Sequence, residues 1–218
     1  MDWTTLIHSL LATQTPALPE PALTRIYLAL GWALVLASGG VLLAGHLRFG
    51  VSRQRLVGAL VLLWCLWPGP WSPTYWLGLA FRAPSLVSAT LCGWFLLRQL
   101  LPSARMATRS EAEWVFGGIV LGWLLLLDTF ARWPVSLYVV GFSPMLTGLM
   151  ALIACLPWLK RAAPTGATWA GLGVLLVYGL LRLPTGNLWD AVLDPWLWIG
   201  LHGVGLRLLW RRWREGVT

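Results

Sequence analysis

Long apolar runs alternate along this chain with short stretches that hold nearly all of its charge. Seven runs approach the roughly 20 residues that a helix needs to cross a bilayer core. They cover residues 22–47, 53–67, 84–101, 113–130, 135–159, 166–183 and 195–213, and the fifth begins at either Val135 or Pro144. The second is short, and its basic start has to snorkel toward water. The pattern predicts an all-α fold, a polytopic integral membrane bundle of about seven transmembrane helices. Residues 1–218 form one membrane domain, in which 1–21 is an outer N-terminal segment.

Composition agrees with the pattern. Only 11% of the 218 residues are charged and 58% are hydrophobic, whereas soluble domains carry about 25% charged residues. In a soluble chain a net charge of +8 would suggest nucleic acid as a partner. Here the basic residues sit between the apolar runs and act as topology signals, so nucleic acid is set aside. Twelve basic residues fall on one side: Arg48, Arg53 and Arg55, then Arg98, Arg105 and Arg109, then Lys160 and Arg161, then Arg207, Arg211, Arg212 and Arg214. With three acids the inner side carries +9, and the outer side, with four basic and five acidic residues, carries −1. The positive-inside rule then puts the N-terminus outside and the C-terminus in the cytoplasm. Fifteen of the sixteen basic residues are Arg, which together with abundant Ala, Gly, Leu and Trp hints at a GC-rich bacterial genome and an inner-membrane location. The first residues, MDWTTLIHSL, lack a basic start and predict no cleaved signal peptide.

The outer connections share a second pattern. Pro73 and Pro84, Pro134 and Pro144, and Pro184 and Pro195 bracket three segments of about ten residues, each just before an inward-running span. Proline fits the first turn of a helix and disfavours helix in the residue before it. Each box therefore starts and stops a short helix in the interface, too short to cross about 30 Å. Residues 3–12 with Pro16, Pro19 and Pro21 resemble a degenerate fourth copy. Nine of the seventeen Trp fall near this outer side, which suits an interfacial shelf and equally a surface for lipid headgroups or a partner.

Candidate chemistry is sparse. Asp190 and Asp194 stand four apart and on a helix would share a face, as a pair for acid–base work or a cation. Asp194 before Pro195 also reads as a helix N-cap. Asp128 and Arg132 read as a salt bridge closing the fourth span, and Arg132 with Arg82 and Arg182 as a cationic outer ring for an anionic headgroup or solute. His202 is the ionisable residue well inside a span, a functional candidate by depth. Gly200, Gly203 and Gly205 beside it point instead to close helix packing, as do Gly118 with Gly122 and Gly40 with Ala44. Cys65, Cys92 and Cys155 lie singly in apolar runs, so neither a metal site nor a cofactor is expected.

Three function classes follow. The first is a non-enzymatic accessory, scaffold or assembly subunit of a membrane complex, whose partners are the bilayer and other membrane proteins. The second is a small-solute permease or channel, with His202 and the Gly141–Pro144 break lining the path. The third is an enzyme acting on a lipid-linked substrate at the outer face through Asp190 or Asp194.

Overall fold

A computed structural model describes residues 18–101, 111–131, 136–159 and 166–216, all of them helix or connecting turn without a strand. The long helices are α1 (Pro21–His46), α2 (Val51–Cys65), α4 (Leu86–Leu100), α5 (Glu111–Thr129), α7 (Pro144–Leu159), α8 (Gly166–Leu181) and α10 (Pro195–Gly216). Three short helices separate them: α3 (Pro73–Phe81), α6 (Leu137–Val140) and α9 (Leu188–Val192). The order is one leading helix and then long, short, long three times. Each proline box holds one short helix, and the fifth apolar run divides so that its long helix begins at Pro144. Residues 3–12, Pro16, Arg132 and Pro134 lie outside the described residues.

The helix ends follow local rules. Pro21 and Pro73 occupy first-turn positions, where the missing N–H costs nothing. Ser72, Ser85 and Asn187 supply N-cap oxygens to Thr74, Ser88 and Trp189. Two helices are long and apolar enough to cross a membrane, Pro21–His46 and residues 112–129 of α5. The 15- and 16-residue helices rise only about 23 Å.

Packing joins helices from different long–short–long units. α1 lies along α2, where Gly40 admits Val57 and Val61, and Gly58 faces Val41. α1 also packs on α4, with the Ser38 hydroxyl donating to the Cys92 carbonyl at 3.2 Å. α5 pairs with α10: Gly118 lies under Leu201 and Gly122 under the Trp198 ring, while Trp198 Nε1 donates to the Ile119 carbonyl at 3.1 Å. Small residues let two backbones approach, and here large side chains of one helix fill the gaps left on the other. Gly205 also meets Ile119, whereas Gly200 and Gly203 face open space. The buried core, Leu86, Val174, Tyr178, Leu183, Leu188 and Ala191, gathers at the end that carries the short helices. Along their lengths the long helices leave large apolar side chains exposed, among them Leu42, Leu63, Leu152, Leu176, Leu180 and Ile199.

At Gly122 a Cβ would sit 2.3 Å from the Trp198 ring, so Gly122→Ala is expected to cost about 1–3 kcal/mol. That corresponds to roughly 3–10 °C in the thermal unfolding of the detergent-solubilised chain followed by circular dichroism. Gly148, with nothing within 4 Å of its Cβ position, is the control: Gly148→Ala should leave Tm unchanged or raise it. Equal effects at the two positions would refute the α5–α10 interface.

Candidate functional site: the polar layer at the short-helix end

Asp194 joins two helix starts. Its Oδ1 accepts the Leu197 N–H at 2.8 Å, capping α10, and its Oδ2 accepts the Ser85 N–H at 2.8 Å. Oδ2 also accepts the Ser88 hydroxyl of α4, and the carboxylate is buried. Unpaired N–H groups at a helix start attract an anion, and this carboxylate serves two helices more than a hundred residues apart. Close by, the Tyr27 hydroxyl donates to the Pro84 carbonyl at 2.8 Å and Trp32 Nε1 to the Arg82 carbonyl at 2.6 Å, tying α1 to the turn between α3 and α4.

Asp128 does the same for α6. Its Oδ1 accepts the Leu137 N–H at 3.0 Å, and its Oδ2 the Tyr138 N–H at 2.7 Å and the Ser136 hydroxyl at 3.1 Å. Its salt-bridge candidate Arg132 lies outside the described residues. On the other side of α6, three donors from α9 and its approach take the exposed carbonyls. Trp189 Nε1 reaches Leu137 O, Asn187 Nδ2 reaches Tyr138 O and Leu188 N reaches Gly141 O, each at 2.9 Å. Gly141 is required by this approach, because a Cβ there would lie 2.0 Å from Asn187 Oδ1. The break before Pro144 is therefore closed against α9.

Asp190 faces α6 as well. Its Oδ2 accepts the Tyr138 hydroxyl at 2.8 Å and the Thr185 hydroxyl at 2.5 Å. Burial first, and then the bond to Asp190 and its charge, push the Tyr138 hydroxyl up to about 12, against the opposing pull of the Arg82 guanidinium. Tyr138 thus stays protonated at neutral pH and acts as a donor. Asp190 and Asp194 do not share a helical face, since α9 ends at Val192 and Leu193 is extended. Their carboxylates bind different partners.

The outer arginines Arg82 and Arg182 sit at the ends of different helices. Arg182 closes α8, its guanidinium carbon 5.3 Å from the Tyr178 ring centre and Nη1 3.5 Å from the Tyr178 hydroxyl. That hydroxyl, fully buried, donates to the Gly186 carbonyl at 2.7 Å. Arg82 is exposed at the end of α3 and acts on Tyr138 across the same layer. Both arginines take a left-handed φ, 59° and 55°. His202 is elsewhere: its Nδ1 lies 2.8 Å from the Trp198 carbonyl, and its ring meets Trp198 and Trp123 edge-on at 5.0 and 6.3 Å.

Among the described residues no three His, Cys, Asp or Glu side chains converge to hold a metal. Sequence reasoning passed over Ser85, Ser88, Tyr178, Thr185 and Asn187. Local signals existed for some of them, in the Ser-x-x-Ser at the start of α4 and the Asn-x-x-Asp at the start of α9. Nothing local pointed to Ser88 meeting Asp194. No family model matches the chain, nor does any curated protein or solved structure.

Removing the Asp194 carboxylate strands the N–H groups of Ser85 and Leu197, so Asp194→Ala should cost about 2–3 kcal/mol and Asp194→Asn less, since one amide oxygen still accepts. Thermal melts of the two variants test this, and equal losses would contradict the double-cap geometry. Gly141→Ala should unfold or displace the α6–α9 contact outright, visible as accelerated proteolysis near residue 141.

Proposed function

We propose that the chain is a non-enzymatic accessory, scaffold or assembly subunit of a bacterial inner-membrane complex. It crosses the membrane about seven times, with its N-terminus outside, its C-terminus cytoplasmic and the short-helix end at the outer interface. The observation that carries this reading is a division of labour. The carboxylates at the short-helix end are committed to the protein's own N–H and hydroxyl groups, while the long helices present large apolar side chains outward. Such flanks suit lipid and neighbouring helices. Helices of 15 or 16 residues fit this topology through local thinning of the bilayer and, in α2 and α4, snorkelling of the arginines at their inner ends.

The other two readings find less support. A permease path through the broken fifth run needs free backbone groups, and the carbonyls of Leu137, Tyr138 and Gly141 already have donors. An enzyme needs a carboxylate open to substrate; Asp194 is buried and bonded at both oxygens, and Asp190 accepts two hydroxyls at Oδ2.

Extraction of the tagged full-length chain in mild detergent should bring down a stable membrane partner; a monodisperse lone protein would sink the proposal. Topology is read separately. With the native cysteines replaced, Trp71→Cys, at a position 82% exposed, should react with an impermeant thiol reagent on intact spheroplasts. Arg48→Cys should react only after lysis, and the reverse pattern would invert the orientation.

A further inference from the structure

The register between α5 and α10 sets the level of the last turns of α10. Leu201 lies over Gly118, and Gly205 faces Val115, Phe116 and Ile119. The two helices therefore run antiparallel, and one more turn along α10 reaches the level of Glu111, the first residue of α5. Residues 112–129 of α5 are long and apolar enough to cross a membrane, and Glu111 and Glu113 stand at the beginning of that run. Residues 210–216 of α10, about 10 Å of helix, continue past this polar boundary.

At about 3.6 residues per turn, this end of α10 has three distinct sides. Gly205 and Arg212 fall on the side toward α5. Leu206, Leu209, Trp210 and Trp213, spaced i, i+3, i+4 and i+7, form a second side; each is more than half exposed, and together they line a shallow apolar depression of about 340 Å³. Arg207, Arg211 and Arg214, spaced i, i+4 and i+7, form the third side, turned away from α5 and exposed throughout. The apolar and basic sides touch. The Arg214 guanidinium carbon lies 5.1 Å from the Trp210 ring centre, and the Trp210 and Trp213 ring centres are 5.6 Å apart.

Among the described residues, none of these three arginines joins an ion pair or donates a hydrogen bond. Three acids belong to this end of the α5–α10 pair. Glu111 stands one turn before Val115, on the side of α5 toward Arg212; Glu113 falls on the far side of α5; Glu215, four residues after Arg211, adjoins the basic stripe. The stripe therefore carries three cations against one acid.

A basic stripe beside an exposed aromatic and aliphatic stripe, at the level where an apolar helix pair stops, calls for a partner that is anionic at one depth and hydrocarbon at the next. Anionic phospholipid offers both. Its phosphate oxygens match the planar guanidinium fork, and tryptophan is most favourable at the boundary between headgroup and chain. Nucleic acid would supply phosphate without the hydrocarbon. We propose that the last turns of α10 are a docking surface for anionic phospholipid, with Arg207, Arg211 and Arg214 on the headgroups and Leu206, Leu209, Trp210 and Trp213 at the chain boundary. The proposal rests on the reading that α10 crosses the bilayer with this end at the inner interface.

The test titrates the full chain in nonionic detergent with phosphatidylglycerol and, separately, phosphatidylcholine, and reads bound lipid by native mass spectrometry. Phosphatidylglycerol should bind saturably and at least tenfold more tightly. Each of Arg207→Gln, Arg211→Gln and Arg214→Gln should weaken it about fivefold, and the triple variant roughly a hundredfold. Arg212→Gln, on the side toward α5, should change it less than twofold. Equal binding of the two lipids overturns the proposal. So does wild-type affinity in a triple variant whose circular dichroism is unchanged, or a loss in Arg212→Gln as large as in the triple variant. If the triple variant does not fold, the single variants decide, and unchanged binding in all three overturns the surface. Loss of a co-purifying protein from the triple variant, with phosphatidylglycerol affinity unchanged, assigns the stripe to an acidic protein partner and overturns the lipid. A wild-type chain that binds phosphatidylglycerol as expected but brings down no partner removes the scaffold reading alone, so the two failures are distinguishable.

Discussion

The unpaired N–H groups at the starts of helices govern the short-helix end of this protein. A helix leaves four donors free at one end and four acceptors at the other, so a helix of four or five residues, such as α6 or α9, consists almost wholly of such ends. Burying it in a low-dielectric setting costs the desolvation of each unmatched group. Three short helices at one end of a bundle are stable only if other parts of the chain supply partners. Asp128 and Asn187 do so for α6, with Ser72 capping α3, while Asp194 and Ser85 serve the starts of the long helices α4 and α10.

These bonds also set the tertiary arrangement. Asp194 holds the start of α10 to the start of α4, Asp128 holds the end of α5 to α6, and the carbonyls of α6 hold α9. Among the long helices, α1 pairs with α2 and α5 with α10 where glycine on one side meets a bulky side chain on the other. Polar bonds dominate at one end and steric fit along the shafts. The first is directional and suits a place where helices begin; the second works among apolar surfaces that offer little directional preference of their own.

The same layer changes what the charged residues mean. A carboxylate near a helix start is stabilised by the N–H groups it accepts, so Asp128 and Asp194 have structural work that accounts for their presence. Asp190 bridges α9 and α6 through hydroxyls. His202, bonded to its own helix and ringed by Trp123 and Trp198, belongs to the α5–α10 contact. Arg182 lies over the Tyr178 ring, and Arg82 is exposed at the end of α3.

By itself the sequence determined the helical class, the place of each long helix and the existence of the three short ones. Apolar run length and proline position are local properties, and helix formation responds to them locally. The start of the fifth long helix at Pro144 needed the tertiary structure, because Val135 and Pro144 were equally good by pattern. The choice rests on α6 being held by Asp128 on one side and by Asn187, Leu188 and Trp189 on the other. Likewise, Asp190 and Asp194 share a helical face only if one helix runs through both, and the bonds from Ser85 and Ser88 to Asp194 and from Tyr138 to Asp190 accompany a chain that turns between them. Spacing along a chain reports which groups are near in sequence. Which donor answers which acceptor is fixed by partners fifty or a hundred residues away, and only the packed structure brings those together.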